Sequence, residues 1–265
     1  PMPWSVRQEL LPDLKFFSSQ DIPSDFFRTF VWWPWDKLLR RQFITSHQLR
    51  FQEIRTTNDL FFVCAFMLMA NRISVLNETL ISHTINRSES LSATRAESHR
   101  CAVEALVALK AFICQQGMME HRLRDYKNYV VVFLEWHLNT ISGPAFHPFY
   151  QQVKEFVVAL DAKSDDFYDE FIAAAHHRIT TLSAEEYLFS LKDRVLKELE
   201  FFQARNVTEC EHDCHGNKAR QGGDHNAADI HALKQALIGR PAGAACTAQY
   251  RTEFNTPVFA QGGDK

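Results

Sequence analysis

The segment 60–70, LFFVCAFMLMA, constrains the fold of this chain more than any other. It is apolar on every side, which is typical of a helix surrounded by protein rather than one lying on a surface. Its length is about half of the roughly 20 residues that cross a membrane. Asn58 and Asp59 stand directly before it, where a side chain can cap a helix and a carboxylate interacts favourably with the helix dipole. We therefore predict a buried helix that is capped by Asn58 and carries Asp59 in its first turn.

Composition limits the partners that this chain can have. The 265 residues carry a formal net charge of -3, which argues against nucleic acid as a partner. Glycine is scarce, with 9 residues, whereas phosphate-cradling loops usually need it. The sequence displays no secretion signal, and three of the six cysteines lie in apolar or helical context, so we expect a reducing, cytoplasmic location.

The hydrophobic pattern changes along the chain. Short helices are predicted at 25–30 and 36–43, the second with Leu38, Leu39 and Phe43 turned inward. Alternation in 72–85 predicts one or two strands. From residue 92 helical spacing dominates, with predicted helices at 94–116, 119–139, 149–160, 167–180 and 183–203. Aliphatic residues become sparse after Asn206, which predicts a weakly ordered tail.

Three stretches carry a resemblance to a known family: WPWDKLLRR (33–41), RFQEIRTTNDLFF (50–62) and RISVLNETLISHTINRSESLSATR (72–95). Together they closely resemble the acceptor-side half of bacterial-type family 2 glycosyltransferases, with a looser likeness continuing to about Leu160. The resemblance implies a GT-A fold and transfer of a sugar from a nucleotide-sugar to a hydroxyl of a polysaccharide or glycan acceptor, with inversion. Such a reaction needs a base that deprotonates the attacking hydroxyl.

The resemblance also assigns roles to residues of this sequence. Asp59 matches the catalytic base, and Asn58 matches the first residue of the family's acidic pair, which is usually Glu. The positions expected to approach the diphosphate or its metal are His83, Ser90, Ser92 and Arg95, with His83 as a metal ligand. The expected acceptor contacts are Trp33, Trp35, Lys37 and Asn58. The resemblance leaves a second role open for Lys37, a structural one.

The family usually holds a divalent cation, Mn or Mg, through a D-x-D motif that stabilises the leaving diphosphate. This sequence contains no D-x-D. We therefore expect the donor-binding half to lie outside these 265 residues, in a longer enzyme from which this chain derives as a fragment or through a truncated reading frame. We expect no cofactor, and no activity, for this chain alone.

These inferences combine into a fold that begins as α/β and becomes mostly α. We expect a partial GT-A acceptor region at 1–95, a helical subdomain at 96–205 and a poorly ordered tail at 206–265. The expected partners are a nucleotide-sugar and a glycan acceptor, and peripheral association with the inner face of a membrane stays open. The sequence leaves the donor sugar, the linkage and the oligomeric state undetermined.

Each of these assignments has a simpler alternative. Asp59 can serve the helix dipole alone, which is worth about 0.3–1 kcal/mol, and a cluster of tryptophans is more often part of a core than a sugar platform. His83 fits a half-buried strand histidine, and Arg95 fits a solvated charge. The CEHDCH stretch at 210–215 places four potential zinc ligands too close together to close a tetrahedron easily. For the whole chain, the rival function is a non-catalytic helical interaction module derived from a glycosyltransferase.

Overall fold

The computed structural model describes residues 5–78, 81 and 95–197, and these residues are mostly helical. Short 3-10 turns at Gln8–Leu10, Ser19–Asp21, Arg95–Ser98, Gly143–Ala145 and Ser164–Asp166 lie before or between the α-helices. The α-helices of the described part are α1 (Phe26–Thr29), α2 (Arg41–Ser46), α3 (Asn58–Met69), α4 (Arg100–Gln115), α5 (Met119–Thr140), α6 (Phe146–Val158), α7 (Glu170–Thr181) and α8 (184–197).

Helix α3 is the buried helix that the apolar run predicts. Most of its residues are buried, and Leu60 and Ala65 are fully so. Asp59 lies in its first turn, as predicted. The predicted cap is wrong, because Asn58 is the first helical residue and Thr57, at a φ of 63°, occupies the cap position without a side-chain cap bond. No helix of the described residues is long and apolar enough to span a membrane.

Helix α5 is the central element and contacts α1, α4, α6 and α7. Its residues Tyr126, Val130, Leu134 and Leu138 are fully buried and recur every four positions, so they form one continuous core-facing stripe. The tyrosine hydroxyl reaches across this core and donates to the backbone oxygen of Leu106 in α4 at 2.9 Å. The helices predicted after residue 92 are therefore packed around α5, and α1 packs against it as well.

The ends of the later helices follow their local sequence signals. Gly117 takes a φ of 67° directly after α4, a conformation that glycine adopts without strain. The backbone N–H of Ser183 donates to the carboxylate of Glu186 at 2.7 Å, and the N–H of Glu186 donates back to the Ser183 hydroxyl at 3.2 Å. This reciprocal capping box starts α8, as predicted.

The β content is lower than predicted. The described residues contain only two isolated antiparallel bridges, Val6 with Phe30 and Phe17 with Ile73, and no sheet. Within the predicted strand region 72–85, residues 79–80 and 82–85 lie outside the described residues. A strand forms only when its backbone pairs with a neighbouring strand. In this region the pairing described is limited to Phe17 and Ile73, each of which donates its backbone N–H to the carbonyl oxygen of the other.

The prediction for 36–43 is wrong in two respects. Helix α2 begins only at Arg41, and Leu38 is fully exposed instead of facing inward. The reason is a turn that the periodicity does not reveal, in which the backbone N–H of Lys37 donates to the oxygen of Pro34 at 3.3 Å. Leu39 and Phe43 do pack against the core, as predicted.

Candidate functional site

The site is built around Asp59 in the first turn of α3. Its side chain is half-buried, directly beside the fully buried Leu60. Burial raises the pKa of Asp59 to about 6, because a carboxylate loses hydration there. The backbone N–H groups of Asp59 and Leu60 and the ammonium of Lys37 oppose that shift. The result is a carboxylate that is ionised at neutral pH and more basic than a free one.

Two buried residues, Cys64 of α3 and Tyr129 of α5, lie close enough to interact electrostatically with Asp59. Burial raises the pKa of the Cys64 thiol to about 12 and that of the Tyr129 hydroxyl well above its usual range. Both groups are therefore neutral at pH 7. The Tyr129 hydroxyl has no hydrogen-bond partner among the described residues. Sequence reasoning missed both neighbours, because neither stands in a motif with Asp59.

Lys37 supplies the positive charge of the site. Its side chain is only 10% exposed. The ammonium donates to the backbone oxygens of Val31 at 2.6 Å and Trp33 at 2.9 Å, and to the Asp36 carboxylate at 2.7 Å. Burial lowers the pKa of Lys37, and the paired Asp36 opposes that shift. The lysine thus holds the segment 31–37 together from within.

The tryptophans of this segment divide into two groups. The ring of Trp32 packs edge-on against Phe133 of α5, with 5.7 Å between ring centroids, so Trp32 belongs to the core. Trp33 and Trp35 stack on each other at 4.7 Å with an angle of 18° between the rings. Trp35 is 36% exposed. The stacked pair therefore combines a fixed arrangement with access to solvent, which is what a sugar-stacking platform requires.

Arg95 is placed on a second aromatic surface. Its guanidinium lies 4.1 Å from the ring centroid of Trp136, and it donates to the Thr140 hydroxyl at 3.2 Å. Burial lowers the pKa of Arg95 to about 10, which still leaves it charged at neutral pH. This half-buried stack on α5 differs from the solvated charge that the simpler alternative assigns to Arg95.

Side-chain contacts tie the segment that precedes α3 to the turn that carries Arg95. The hydroxyls of Thr56 and Ser98 are 2.8 Å apart, and both residues are buried. Next to them, the Arg55 guanidinium donates to the Glu97 carboxylate at 2.7 Å. That outer pair is exposed and adds little stability. The buried Thr56–Ser98 contact is what fixes the start of α3 relative to the Arg95 turn.

Of the remaining predicted site residues, the structure describes Asn58. Asn58 is half-buried, and its backbone oxygen accepts a bond from the N–H of Gln52 at 3.3 Å. His83, Ser90 and Ser92 lie outside the described residues, as do the CEHDCH stretch and the tail at 206–265. Among residues 5–78, 81 and 95–197, no group of three or more His, Cys, Asp or Glu side chains is arranged to hold a metal ion.

Comparison with protein-family models, with curated proteins and with solved structures gives no match.

Proposed function

We propose that this chain is the acceptor-side half of an inverting, nucleotide-sugar-dependent glycosyltransferase of the family 2 type, with Asp59 as its general base. The observation that carries the proposal is the environment of Asp59. A half-buried carboxylate with a pKa of about 6 stands at the start of a buried helix, inside the TTNDLFF stretch on which the family resemblance depends. Perturbed carboxylates of this kind are concentrated at functional sites.

The proposed reaction uses Asp59 in a single displacement. Its carboxylate takes the proton of the acceptor hydroxyl while that oxygen attacks the anomeric carbon of the donor. The bond from this carbon to the diphosphate breaks, and the electron pair leaves with the diphosphate, so the configuration inverts. A pKa near 6 suits this role, because the group is mostly ionised at pH 7 and still basic enough to accept the proton.

The other residues of the site fit supporting roles in the same proposal. The stacked Trp33 and Trp35 offer an aromatic face for the acceptor sugar. The Arg95 guanidinium, stacked on Trp136, offers a positive charge for the leaving diphosphate. His83 and Ser92 stay predictions for the diphosphate and its metal.

In the part of the chain that the structure describes, no three or more His, Cys, Asp or Glu side chains are grouped to hold a metal ion. The proposal places the D-x-D motif that would hold a divalent cation, and the donor-binding half, in the remainder of a full-length, cytoplasmic enzyme.

The proposal is tested in the full-length protein with a panel of nucleotide-sugars and glycan acceptors. Asp59→Asn keeps the size of the side chain and removes the base, so transfer is expected to fall by about 10²–10⁴-fold while donor affinity is unchanged. Glu53→Gln is the matched control, because it removes an exposed carboxylate six positions earlier in the chain and should leave transfer intact. Transfer retained by Asp59→Asn would remove Asp59 from this role.

One observation favours the alternative of a helical interaction module. Phe171 of α7 and Phe189 of α8 are 70% and 71% exposed, and large exposed aromatic side chains are common at protein–protein interfaces. Absence of transfer with every donor, together with lost partner binding in a Phe171→Ser, Phe189→Ser double variant, would support this alternative over the enzyme.

A further inference from the structure

One continuous stretch of this chain carries a positive charge, although the chain as a whole is negative. The formal net charge is -3, yet residues 38–52 contain Arg40, Arg41 and Arg50 and no Asp or Glu. All three arginines are exposed, and none of them makes an ion pair with a described residue. The next acid along the chain is the exposed Glu53. The stretch therefore presents a local positive surface.

Large apolar side chains stand among these arginines. Leu38 is fully exposed and directly follows the turn in which the backbone N–H of Lys37 donates to the oxygen of Pro34. Phe51 is 45% exposed and directly follows Arg50. A single exposed apolar residue is ordinary on a protein surface. Here each of the two lies within two residues of an exposed arginine, so the same stretch combines apolar and cationic side chains that face solvent.

Contacts with α3 bring the two ends of this stretch together. The ring of Phe43 in α2 packs on Phe66, with 4.9 Å between ring centroids, and the ring of Phe51 stacks on Phe62 at 4.1 Å. Phe62 and Phe66 are four positions apart, so they lie on one face of α3, about 6 Å apart along its axis. The arginines that neighbour Phe43 and Phe51 in the sequence are therefore carried over the same face of α3.

A bilayer with anionic lipids is the partner whose chemistry matches both features. Its headgroups attract arginines near the surface, and its interfacial layer takes up leucine and aromatic side chains that project from a protein. A soluble polyanion would use the arginines but would leave Leu38 in water. The buried centre of a protein–protein interface is depleted of charged residues, whereas here the arginines stand between the apolar side chains.

We propose that the 38–51 surface, formed by Leu38, Arg40, Arg41, Arg50 and Phe51, docks this chain onto a membrane that contains anionic lipids. The arginines interact with the lipid headgroups, and the two apolar side chains enter the interfacial layer. Because Leu38 directly follows the 31–37 segment, docking places the stacked tryptophans of that segment beside the bilayer. The inference does not rest on the proposed reaction, since it needs neither a donor nor an acceptor.

The first test is co-sedimentation of the 265-residue chain with vesicles at neutral pH and low salt. Vesicles of equal parts phosphatidylglycerol and phosphatidylcholine are compared with vesicles of phosphatidylcholine alone. We expect the anionic vesicles to bind the chain at least about 10-fold more tightly, because each arginine near an anionic surface contributes to binding. Added salt should weaken this binding. Equal binding to both kinds of vesicle, or no binding to the anionic ones, would overturn the proposal and leave the proposed reaction untouched.

Charge variants locate the binding surface. The Arg40→Gln, Arg41→Gln double variant is expected to lower the affinity for anionic vesicles by about 10–30-fold, from two lost cations. The matched control is the Lys110→Gln, Lys192→Gln double variant, which removes two exposed cations from α4 and α8. It makes the same change in net charge and should bind as the unmodified chain does. An equal loss in the two double variants would mean that net charge alone drives binding, and it would overturn the assignment to this surface.

Leu38→Ser tests the apolar part of the surface. Because Leu38 is fully exposed, this variant should fold as the unmodified chain does, which urea unfolding checks. Its affinity for anionic vesicles is expected to fall by about 10-fold, since an inserted leucine side chain is lost. The control is Phe171→Ser, at a 70% exposed position of α7, which should bind normally. Unchanged vesicle binding by Leu38→Ser, together with equally tight binding of the unmodified chain to polyglutamate, would assign the surface to a soluble polyanion and overturn the proposal.

Discussion

Replacing Asp25 by Asn is expected to stabilise this protein at neutral and alkaline pH. Asp25 is 7% exposed, and burial raises its pKa from 3.8 to about 6 despite the nearby Arg28 and Arg7. One of its carboxylate oxygens has no hydrogen-bond partner among the described residues. Its backbone N–H donates to the carboxylate of Asp125 at 2.6 Å, which brings two acids together.

The sign of the effect follows from proton linkage. Because the pKa is higher in the folded state, the folded protein binds this proton more tightly than the unfolded chain does. The corresponding stabilisation is fully present below about pH 4 and is lost as the pH rises through about 6. A difference of about two pKa units corresponds to about 3 kcal/mol. An amide resembles the protonated acid and does not undergo this loss.

Asp25→Asn should therefore match the unmodified chain near pH 4 and exceed its free energy of unfolding by about 1–3 kcal/mol at pH 8. Asparagine also tolerates the left-handed backbone of this residue, at a φ of 56°. The assay is urea unfolding at several pH values.

The control for this experiment is Asp169→Asn, which changes the other acid that contacts Arg28, at 3.4 Å. Asp169 is partly exposed, and asparagine can replace it as the cap of α7, so this variant should alter stability little. A loss of stability in Asp25→Asn that is the same at every pH would refute the reasoning, because it would mean that the Arg28 pair outweighs burial.

Three further predictions concern the core and one helix cap, all measured by urea unfolding. Tyr126→Phe should lower the free energy of unfolding by about 0.5–1.5 kcal/mol, because the Tyr126 hydroxyl donates to a backbone oxygen. Tyr129→Phe should be neutral or stabilising, because the Tyr129 hydroxyl has no hydrogen-bond partner among the described residues. Equal losses in the two variants would contradict this. Leu106→Ala should cost about 2–5 kcal/mol and Leu38→Ala almost nothing, since the first side chain is fully buried and the second fully exposed. Ser183→Ala should cost about 1 kcal/mol by removing the capping box of α8, and an unchanged midpoint would show that the cap is dispensable.

The parts of the fold that the sequence predicts are those set by local physics. The run 60–70 has no polar face, so a buried α3 is the only helix it can form. The glycine after α4 and the capping box before α8 act over a single turn. The prediction for Leu38 is wrong because a backbone turn from Pro34 to Lys37 precedes it, and periodicity does not encode that turn.

The candidate site is likewise predicted only in part by the sequence. The sequence places Asp59 at a helix start, which the structure confirms. Its raised pKa depends on burial, and its neutral neighbours Cys64 and Tyr129 stand in no motif with it, so the sequence does not reveal them. The partner of Arg95 is likewise missed, because Trp136 reaches it only once α5 is packed. Sequence reasoning thus located the carboxylate, and tertiary packing raises its pKa.

The measurement that most directly tests the central claim is the pH dependence of kcat/KM for sugar transfer by the full-length enzyme. If Asp59 is the base, the rate should fall as the pH drops through about 6, because the carboxylate becomes protonated there. The residual rate of Asp59→Asn should lack this limb. An acidic limb that persists unchanged in Asp59→Asn would contradict the account.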